Sequence, residues 1–193
     1  SDLVPALIIL TMAWTIGGII KSPPADGGLG LGKFMSKLVV DGNFPFAWIP
    51  VIVFILSALI AFATGTSWGT FGIMIPLVMP IAVELAETRG LAFAQISNAA
   101  YISIAAVIGG AVFGDHASPI SDTTILSSTG ARCNHMDHVT SQLPYALTVA
   151  AAAGAGYLAL GFAKSALLGF AVTGVVLAAL ILMLKNKNAA QKS

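Results

Sequence analysis

The sequence predicts an all-α membrane protein with several spanning helices, among them a re-entrant hairpin and a broken helix. Of its residues, 57% are hydrophobic and only 9% are charged, whereas about a quarter of the residues in a soluble domain are charged. The apolar segments are continuous rather than amphipathic, which is typical of helices that face lipid. Two of these segments contain a short run of hydroxyl residues and glycine, and such runs indicate where a spanning helix is interrupted.

The first two predicted elements lie before residue 45. Residues 3–20 carry no charge, and a helix over that range would be about 27 Å long, close to the hydrocarbon thickness of a bilayer. Residues 33–40 are amphipathic, with Phe34 and Leu38 on one face and Lys33 and Lys37 on the other. They predict either a short helix in the membrane interface or a loop.

Residues 46–86 predict a hairpin. One straight helix over this range would reach about 60 Å, twice the hydrocarbon thickness, so the chain must turn back. The turn is expected at residues 64–70, which contain hydroxyls, glycine and Trp68 but no charge, Asn or Pro. A turn exposed to water would be expected to contain charged residues, Asn or Pro. The sequence therefore favours a re-entrant hairpin whose tip lies at membrane depth.

Residues 97–131 predict one broken helix with an unwound middle. Residues 97–113 are largely apolar, the polar cluster Asp115–Thr124 follows, and residues 125–131 resume a shorter helix. Residues 132–138 predict an exposed polar loop, and the Cys, His and Asp residues in it match no common zinc spacing. Two further spanning helices are expected at residues 143–163 and 166–184, followed by a basic tail over residues 185–193.

The two breaks hold the candidate functional residues. Charge at membrane depth is costly and usually marks function, and irregular backbone is tolerated there only where it lines a cavity or is buried in protein. Hydroxyl and carboxylate oxygens are hard ligands, which suit Na⁺-like ions rather than soft metals. The candidate cation ligands are Thr66, Ser67, Thr70, Asp115, Ser118, Ser121, Asp122, Thr123 and Thr124.

A carboxylate in such a break can also take up a proton when the cation leaves, because burial disfavours its charged form and a bound cation favours it. Asp115, His116 and Asp122 are therefore the candidate proton relay, and the cation and the proton would compete. Structural interpretations stay open at this point: the two aspartates can cap helices, each hydroxyl can bond a helix carbonyl, and His116 can be a hydrogen-bonded interior residue.

Other classes of function are not expected. The Gly-x-Gly-Asp and Gly-x-Ser-Gly turns of intramembrane proteases are missing from the sequence, so we do not expect an enzyme. No basic patch suggests nucleic acid. We expect membrane lipid as a partner, and Na⁺ and H⁺ as transported substrates rather than as cofactors.

Three stretches of the chain resemble the NhaC family of Na⁺/H⁺ antiporters, a branch of the ion-transporter superfamily. The stretches are Phe62-Ala-Thr-Gly-Thr-Ser-Trp-Gly-Thr70, Gly114-Asp-His-Ala-Ser-Pro-Ile-Ser-Asp-Thr-Thr-Ile-Leu-Ser-Ser128 and His135-Met-Asp-His-Val-Thr-Ser-Gln-Leu-Pro-Tyr145. The chain departs from the pattern at Ala117, where Cys is frequent, and at Asn134, where an acidic residue is common. Neither departure removes a candidate ligand.

The resemblance implies Na⁺/H⁺ antiport across the cell membrane, with Asp115 and Asp122 as the cation and proton carboxylates. It also implies a transporter of two inverted repeats, each giving a hairpin and a broken helix to a central site. Residues 1–193 then form a single transmembrane domain that is the C-terminal half of such a transporter. The chain starts at Ser1 without a basic leader, so we expect no signal peptide and a missing N-terminal part.

The resemblance leaves two alternatives. The first is Na⁺- and H⁺-coupled exchange of an organic anion such as malate or lactate, or of an amino acid. The second is an inactive half-transporter that needs the missing half, or a second copy of itself, as a partner.

Overall fold

The computed structural model describes residues 22–28 and 45–190, together with Thr11, Thr15 and Ile19. Apart from those three residues, the first span predicted at residues 3–20 lies outside the described residues. The interfacial helix predicted at residues 33–40 and the last three residues of the basic tail also lie outside them.

The described part of the chain is helical and contains no strand. Short 3₁₀ turns cover Pro24–Asp26 and Phe46–Trp48. The helices are α1 (Ile49–Thr64), α2 (Ser67–Thr88), α3 (Phe93–Ala117), α4 (Asp122–Gly130), α5 (His135–Ala163) and α6 (Ala166–Ala190). Helices α2, α3, α5 and α6, and α1 together with the 3₁₀ turn before it (Phe46–Thr64), are long and apolar enough to cross a membrane. The predicted all-α membrane class is confirmed.

Helices α1 and α2 form the predicted hairpin, with a tighter turn than residues 64–70 suggested. Gly65 ends α1 in the left-handed conformation, with φ 67°, which glycine adopts without steric cost. Thr66 caps α2, and Ser67 is already helical. The turn is therefore two residues long. Both arms are of spanning length, and the depth of the tip in the bilayer stays a prediction.

Helix α3 lies against both arms of the hairpin. Two glycines let α1 approach it closely, because a Cβ at Gly110 would overlap the carbonyl oxygen of Phe54, and one at Gly114 would overlap that of Ala58. Small residues at such a spacing are the usual means by which membrane helices pack closely. The close fit fixes the height of α3 relative to the tip of the hairpin.

The core lies between α1, α2 and α3, where Val53, Met74 and Val107 are buried together. Helix α5 packs on the outside of this unit. The ring of Tyr157 stacks on Phe54 with a centroid distance of 5.0 Å, and its hydroxyl donates to the carbonyl of Ala105 at 2.8 Å. Among the described elements, α6 contacts α5 alone, and its apolar side chains are largely exposed.

The broken helix is confirmed in a narrower form. Helix α3 continues through Ala117, residues 118–121 are unwound, and α4 begins at Asp122. The exposed loop predicted at residues 132–138 is wrong in its second half, because α5 begins at His135. The side chain of Asn134 accepts the backbone N–H groups of Met136 and Asp137, and such a cap starts a helix where composition alone suggests a loop.

Candidate cation site

The tip of the hairpin touches the break between α3 and α4. The hydroxyl of Ser118 donates to the carbonyl oxygen of Phe62 at 2.7 Å. Gly65 lies so close to the break that an added Cβ would sit 2.9 Å from the carbonyl oxygen of Ile120. Two polar interruptions that lie far apart in the sequence therefore form one site.

The carboxylate of Asp115 lies at the centre of this site. Asp115 is in the last turn of α3 and only 8% exposed. Its Oδ1 accepts a hydrogen bond from the Ser121 hydroxyl at 2.5 Å, and its Oδ2 accepts one from the Ser67 hydroxyl at 2.8 Å. Within the described residues no basic side chain contacts the carboxylate. Burial of a charge without a counter-ion is costly, which makes this carboxylate the strongest candidate for a cation ligand in the site.

Four helix ends meet around Asp115. Helices α1 and α3 end there, and α2 and α4 begin there. The C-terminal end of a helix carries partial negative charge and favours a cation, whereas an N-terminal end favours an anion. Two carbonyl ends therefore add to the attraction of Asp115 for a cation. The N-terminal ends of α2 and α4 favour negative charge at the same place, and so favour the carboxylate itself.

A third hydroxyl joins the same group of hydrogen bonds. The Oγ1 of Thr123 lies 2.7 Å from the Oγ of Ser121, which in turn contacts Asp115. Ser67 of α2 and Ser121 of the break thus contact the carboxylate directly, while Thr123, which is exposed at the start of α4, contacts Ser121. Hydroxyl and carboxylate oxygens are hard donors, which suit a Na⁺-like ion rather than a soft metal.

The other candidate hydroxyls mainly support the backbone of the site. Thr66 accepts the N–H of Gly69 at 3.3 Å as the cap of α2, and Thr70 donates to the carbonyl of Thr66 at 2.9 Å. Thr124 donates to the carbonyl of His116 at 3.2 Å, across the break. These bonds hold the tip and the break in shape, while each hydroxyl oxygen can still accept.

Asp122 and His116 lie outside the group of hydrogen bonds on Asp115. Asp122 is exposed at the start of α4, and its Oδ1 accepts the backbone N–H of Thr123 at 2.8 Å. His116 is also exposed. With Gln142 and Tyr145, it lines a largely apolar cavity of about 470 Å³ between α3 and α5. The two predicted aspartates therefore occupy different environments.

Sequence reasoning missed two side chains of α5 that hold the break. The ring of His135 lies 2.7 Å from the carbonyl oxygen of Pro119 through Nε2, and 3.0 Å from the hydroxyl of Ser128 through Nδ1. Gln142 donates to the carbonyl of His116 at 2.8 Å. The signal for His135 was its place in the third of the stretches that carry the family resemblance. In the part of the chain that the structure describes, no group of three or more His, Cys, Asp or Glu side chains could hold a metal ion.

Comparison with known proteins gives a family. The family model for the Na⁺/H⁺ antiporter family matches residues 2–162. An uncharacterized protein of Haemophilus influenzae is 50% identical over 182 residues, which are 94% of this chain and 32% of that protein. No solved structure matches the chain.

Two further relatives have names that include an activity. A protein of Haemophilus influenzae named as an uncharacterized Na⁺/H⁺ antiporter is 29% identical over 72% of this chain and 26% of its own length. The malate-2H⁺/Na⁺-lactate antiporter of Bacillus subtilis is 33% identical over 46% of this chain and 17% of its own length. The chain spans about a third or less of the curated relatives it matches.

Proposed function

The chain belongs to the Na⁺/H⁺ antiporter family, and we propose that it carries the cation site of a secondary transporter that exchanges Na⁺ for H⁺ across the plasma membrane. One observation supports this most strongly. A buried carboxylate, Asp115, is held by two hydroxyls where the hairpin tip meets the helix break, and it has no basic partner within the described residues. Family membership indicates a transporter rather than an enzyme, and five apolar helices indicate an integral membrane protein.

The proposed exchange rests on competition for one carboxylate. Na⁺ as substrate would be held by Asp115 and by hydroxyl oxygens of Ser67, Ser121 and Thr123, whose protons turn away from the ion. When Na⁺ leaves, the carboxylate remains buried, and a proton is the other cation that can neutralise it. Since the two cannot occupy Asp115 together, movement of one is coupled to movement of the other in the opposite direction.

The exposed residues of the site are proposed for the path between Asp115 and water. Asp122 would attract cations towards the break, and His116 would pass protons through its two ring nitrogens, one of which can donate while the other accepts. Ser118, Thr66, Thr70 and Thr124 would keep the ligand oxygens in place. The rest of the transporter, or a second copy of this chain, is the proposed protein partner that completes the path.

A second candidate function is Na⁺- and H⁺-coupled exchange of an organic anion. The relative from Bacillus subtilis that is named a malate-2H⁺/Na⁺-lactate antiporter favours it. The N-terminal ends of α2 and α4 lie at the site and could hold a carboxylate substrate. In this scheme, Asp115 keeps its role as the Na⁺ ligand.

The test is exchange in proteoliposomes that contain a trapped pH dye. A pulse of external Na⁺ should raise the internal pH in vesicles with the unaltered chain. Asp115→Asn should abolish the response. Asp137→Asn is the matched control, because Asp137 is an exposed carboxylate in the first turn of α5, and it should exchange as the unaltered chain does. Full exchange by Asp115→Asn would contradict the proposal.

If the chain on its own shows no Na⁺-dependent exchange, a chimera is the next test. The chain would replace the matching segment of the 50% identical protein of Haemophilus influenzae, and the Na⁺ pulse would be repeated. Exchange only in the chimera would show that the remaining segments are required. Exchange that begins only when malate, lactate or an amino acid is supplied would favour the second candidate.

A further inference from the structure

The imidazole of His135 ties the unwound segment to α4. His135 is half-buried at the start of α5. Its Nε2 lies 2.7 Å from the carbonyl oxygen of Pro119, inside the break. Its Nδ1 lies 3.0 Å from the hydroxyl of Ser128, in the last turns of α4. One ring thus contacts the break and the helix that follows it.

The carbonyl of Pro119 fixes which ring nitrogen donates to the break. A carbonyl oxygen can only accept, so Nε2 must carry the proton that it donates to Pro119. Nδ1 lies beside the hydroxyl of Ser128, which also donates to the carbonyl of Ile125 at 2.9 Å. Ser128 is 2% exposed, so water does not compete for these bonds. The bond to Pro119 is therefore the contact of the ring whose donor is fixed.

The unwound segment has few other bonds that hold it. Its internal bonds are long: the N–H of Ser121 to the carbonyl of Ser118 and the N–H of Ile120 to the hydroxyl of Ser118 both measure 3.4 Å. Shorter bonds hold its two ends: the Ser118 hydroxyl donates to Phe62, and Ser121 donates to Asp115 through its hydroxyl and accepts the N–H of Ile125 at 3.0 Å through its carbonyl. His135 supplies the bond to the middle of the segment, at Pro119. Loss of that bond would leave the residues that lead to Ser121 without this anchor.

We propose that His135 is a positioning residue of the cation site: by holding the Pro119 carbonyl, it keeps the Ser121 hydroxyl against Asp115. This inference rests on the function proposed above. His135 does not touch the carboxylate or the ion. It acts through the backbone of residues 118–121, as the outer partners of ligands do at other metal sites.

Two substitutions at His135 distinguish its bond to Pro119 from its bond to Ser128. In His135→Gln the amide nitrogen reaches the place of Nε2, so the bond to Pro119 is kept. In His135→Asn the shorter side chain reaches only the place of Nδ1, so that bond is lost. His138→Asn is the matched control, since His138 lies one turn further along α5 and its ring makes no hydrogen bond within the described residues.

The first measurement is Na⁺-dependent exchange in proteoliposomes, resolved into KM and kcat. We expect His135→Asn to raise the KM for Na⁺ about tenfold, with His135→Gln and His138→Asn close to the unaltered protein. Thermal unfolding in detergent identifies any variant that fails to fold. Equal KM values for the Gln and Asn variants, whether both normal or both raised, would overturn the proposal.

The second measurement does not depend on transport. Hydrogen exchange of the amides of residues 118–124, followed by mass spectrometry, should be about tenfold faster in His135→Asn than in His135→Gln, because one anchoring hydrogen bond is lost. If neither the unaltered chain nor the chimera with the 50% identical relative exchanges Na⁺, the proposed function fails and this comparison alone decides the role of His135. Equal exchange rates in the two variants would then overturn it.

Discussion

At the scale of single residues, the site depends on which hydroxyl meets which carboxylate oxygen. Ser121 is fully buried and contacts both Asp115 and Thr123, whereas Ser67 is half-buried and contacts Asp115 alone. The hydroxyl of Ser121 is therefore the link between the carboxylate and the third oxygen. Its removal should affect the site more than removal of the Ser67 hydroxyl.

We expect Ser121→Ala to raise the KM for Na⁺ about tenfold and Ser67→Ala to raise it less, because each deletes an oxygen from a small ligand set and leaves a carboxylate oxygen unpaired. Ser127→Ala is the matched control: Ser127 is exposed on α4. The measurement is the Na⁺ dependence of exchange in proteoliposomes. The ligand set is wrong if Ser121→Ala and Ser127→Ala give the same KM.

The residue types of the site could be predicted from the sequence, but their pairing could not. Hydroxyls and carboxylates are energetically costly at membrane depth, so their clusters in an apolar chain predicted both breaks. Asp115 and Asp122 look alike in the sequence. They differ only because α3 ends at Ala117 and α4 restarts at Asp122, which buries the first and exposes the second. The backbone path of the four unwound residues, 118–121, decides which aspartate is buried. That path depends on contacts with Phe62 and His135.

At the scale of elements, the position of the site depends on how closely α1 and α3 approach each other. The backbone of Ala58 fills the space where Gly114 lacks a side chain, one residue before Asp115. A side chain at Gly114 would push α1 away and move the hairpin tip relative to the break. Function and packing are therefore coupled at this position.

We expect Gly114→Ala to lower the free energy of unfolding by about 1–3 kcal/mol, the usual effect of overpacking. Gly130→Ala is the control, because an added Cβ there has no atom within 4 Å, and it should leave stability unchanged or slightly raise it. Thermal unfolding in detergent, followed by circular dichroism, compares the two. Equal melting temperatures would show that α1 can shift at no cost.

The helices could be predicted from the sequence where the length of an apolar run determines them. The start of a helix was harder to predict where a capping side chain determines it. The hairpin and the broken helix follow from an apolar run too long for one crossing and from a polar cluster within another. The start of α5 was missed because Asn134 caps a polar first turn, and polar composition had suggested a loop. That error also hid His135, which lies in the first turn of α5 and contacts Pro119.

At the scale of the whole molecule, the hairpin and α3 form the buried unit that holds the site, while α5 and α6 lie outside it. Large apolar side chains such as Leu59, Leu167 and Phe170 are 60%, 80% and 78% exposed, which is expected of surfaces that face lipid or other membrane helices. The site lies at one end of this unit. In the proposed exchange, Na⁺ and H⁺ would both bind the carboxylate of Asp115 there.

Competition at one carboxylate predicts a specific pH dependence for the whole transporter. In the proposed exchange, a proton on Asp115 would exclude Na⁺, so the apparent KM for Na⁺ should rise as the pH on the Na⁺ side falls, by about tenfold per pH unit where the protonated form dominates, with the pH on the other side held constant. Asp122→Asn is the control and should keep this dependence, because Asp122 would lie only on the path to the site. The measurement is the initial rate of exchange against Na⁺ concentration at several pH values, with the membrane potential clamped. An apparent KM that does not vary with pH would mean that Na⁺ and H⁺ bind separate groups, and exchange would then require a conformational coupling that Asp115 alone does not provide.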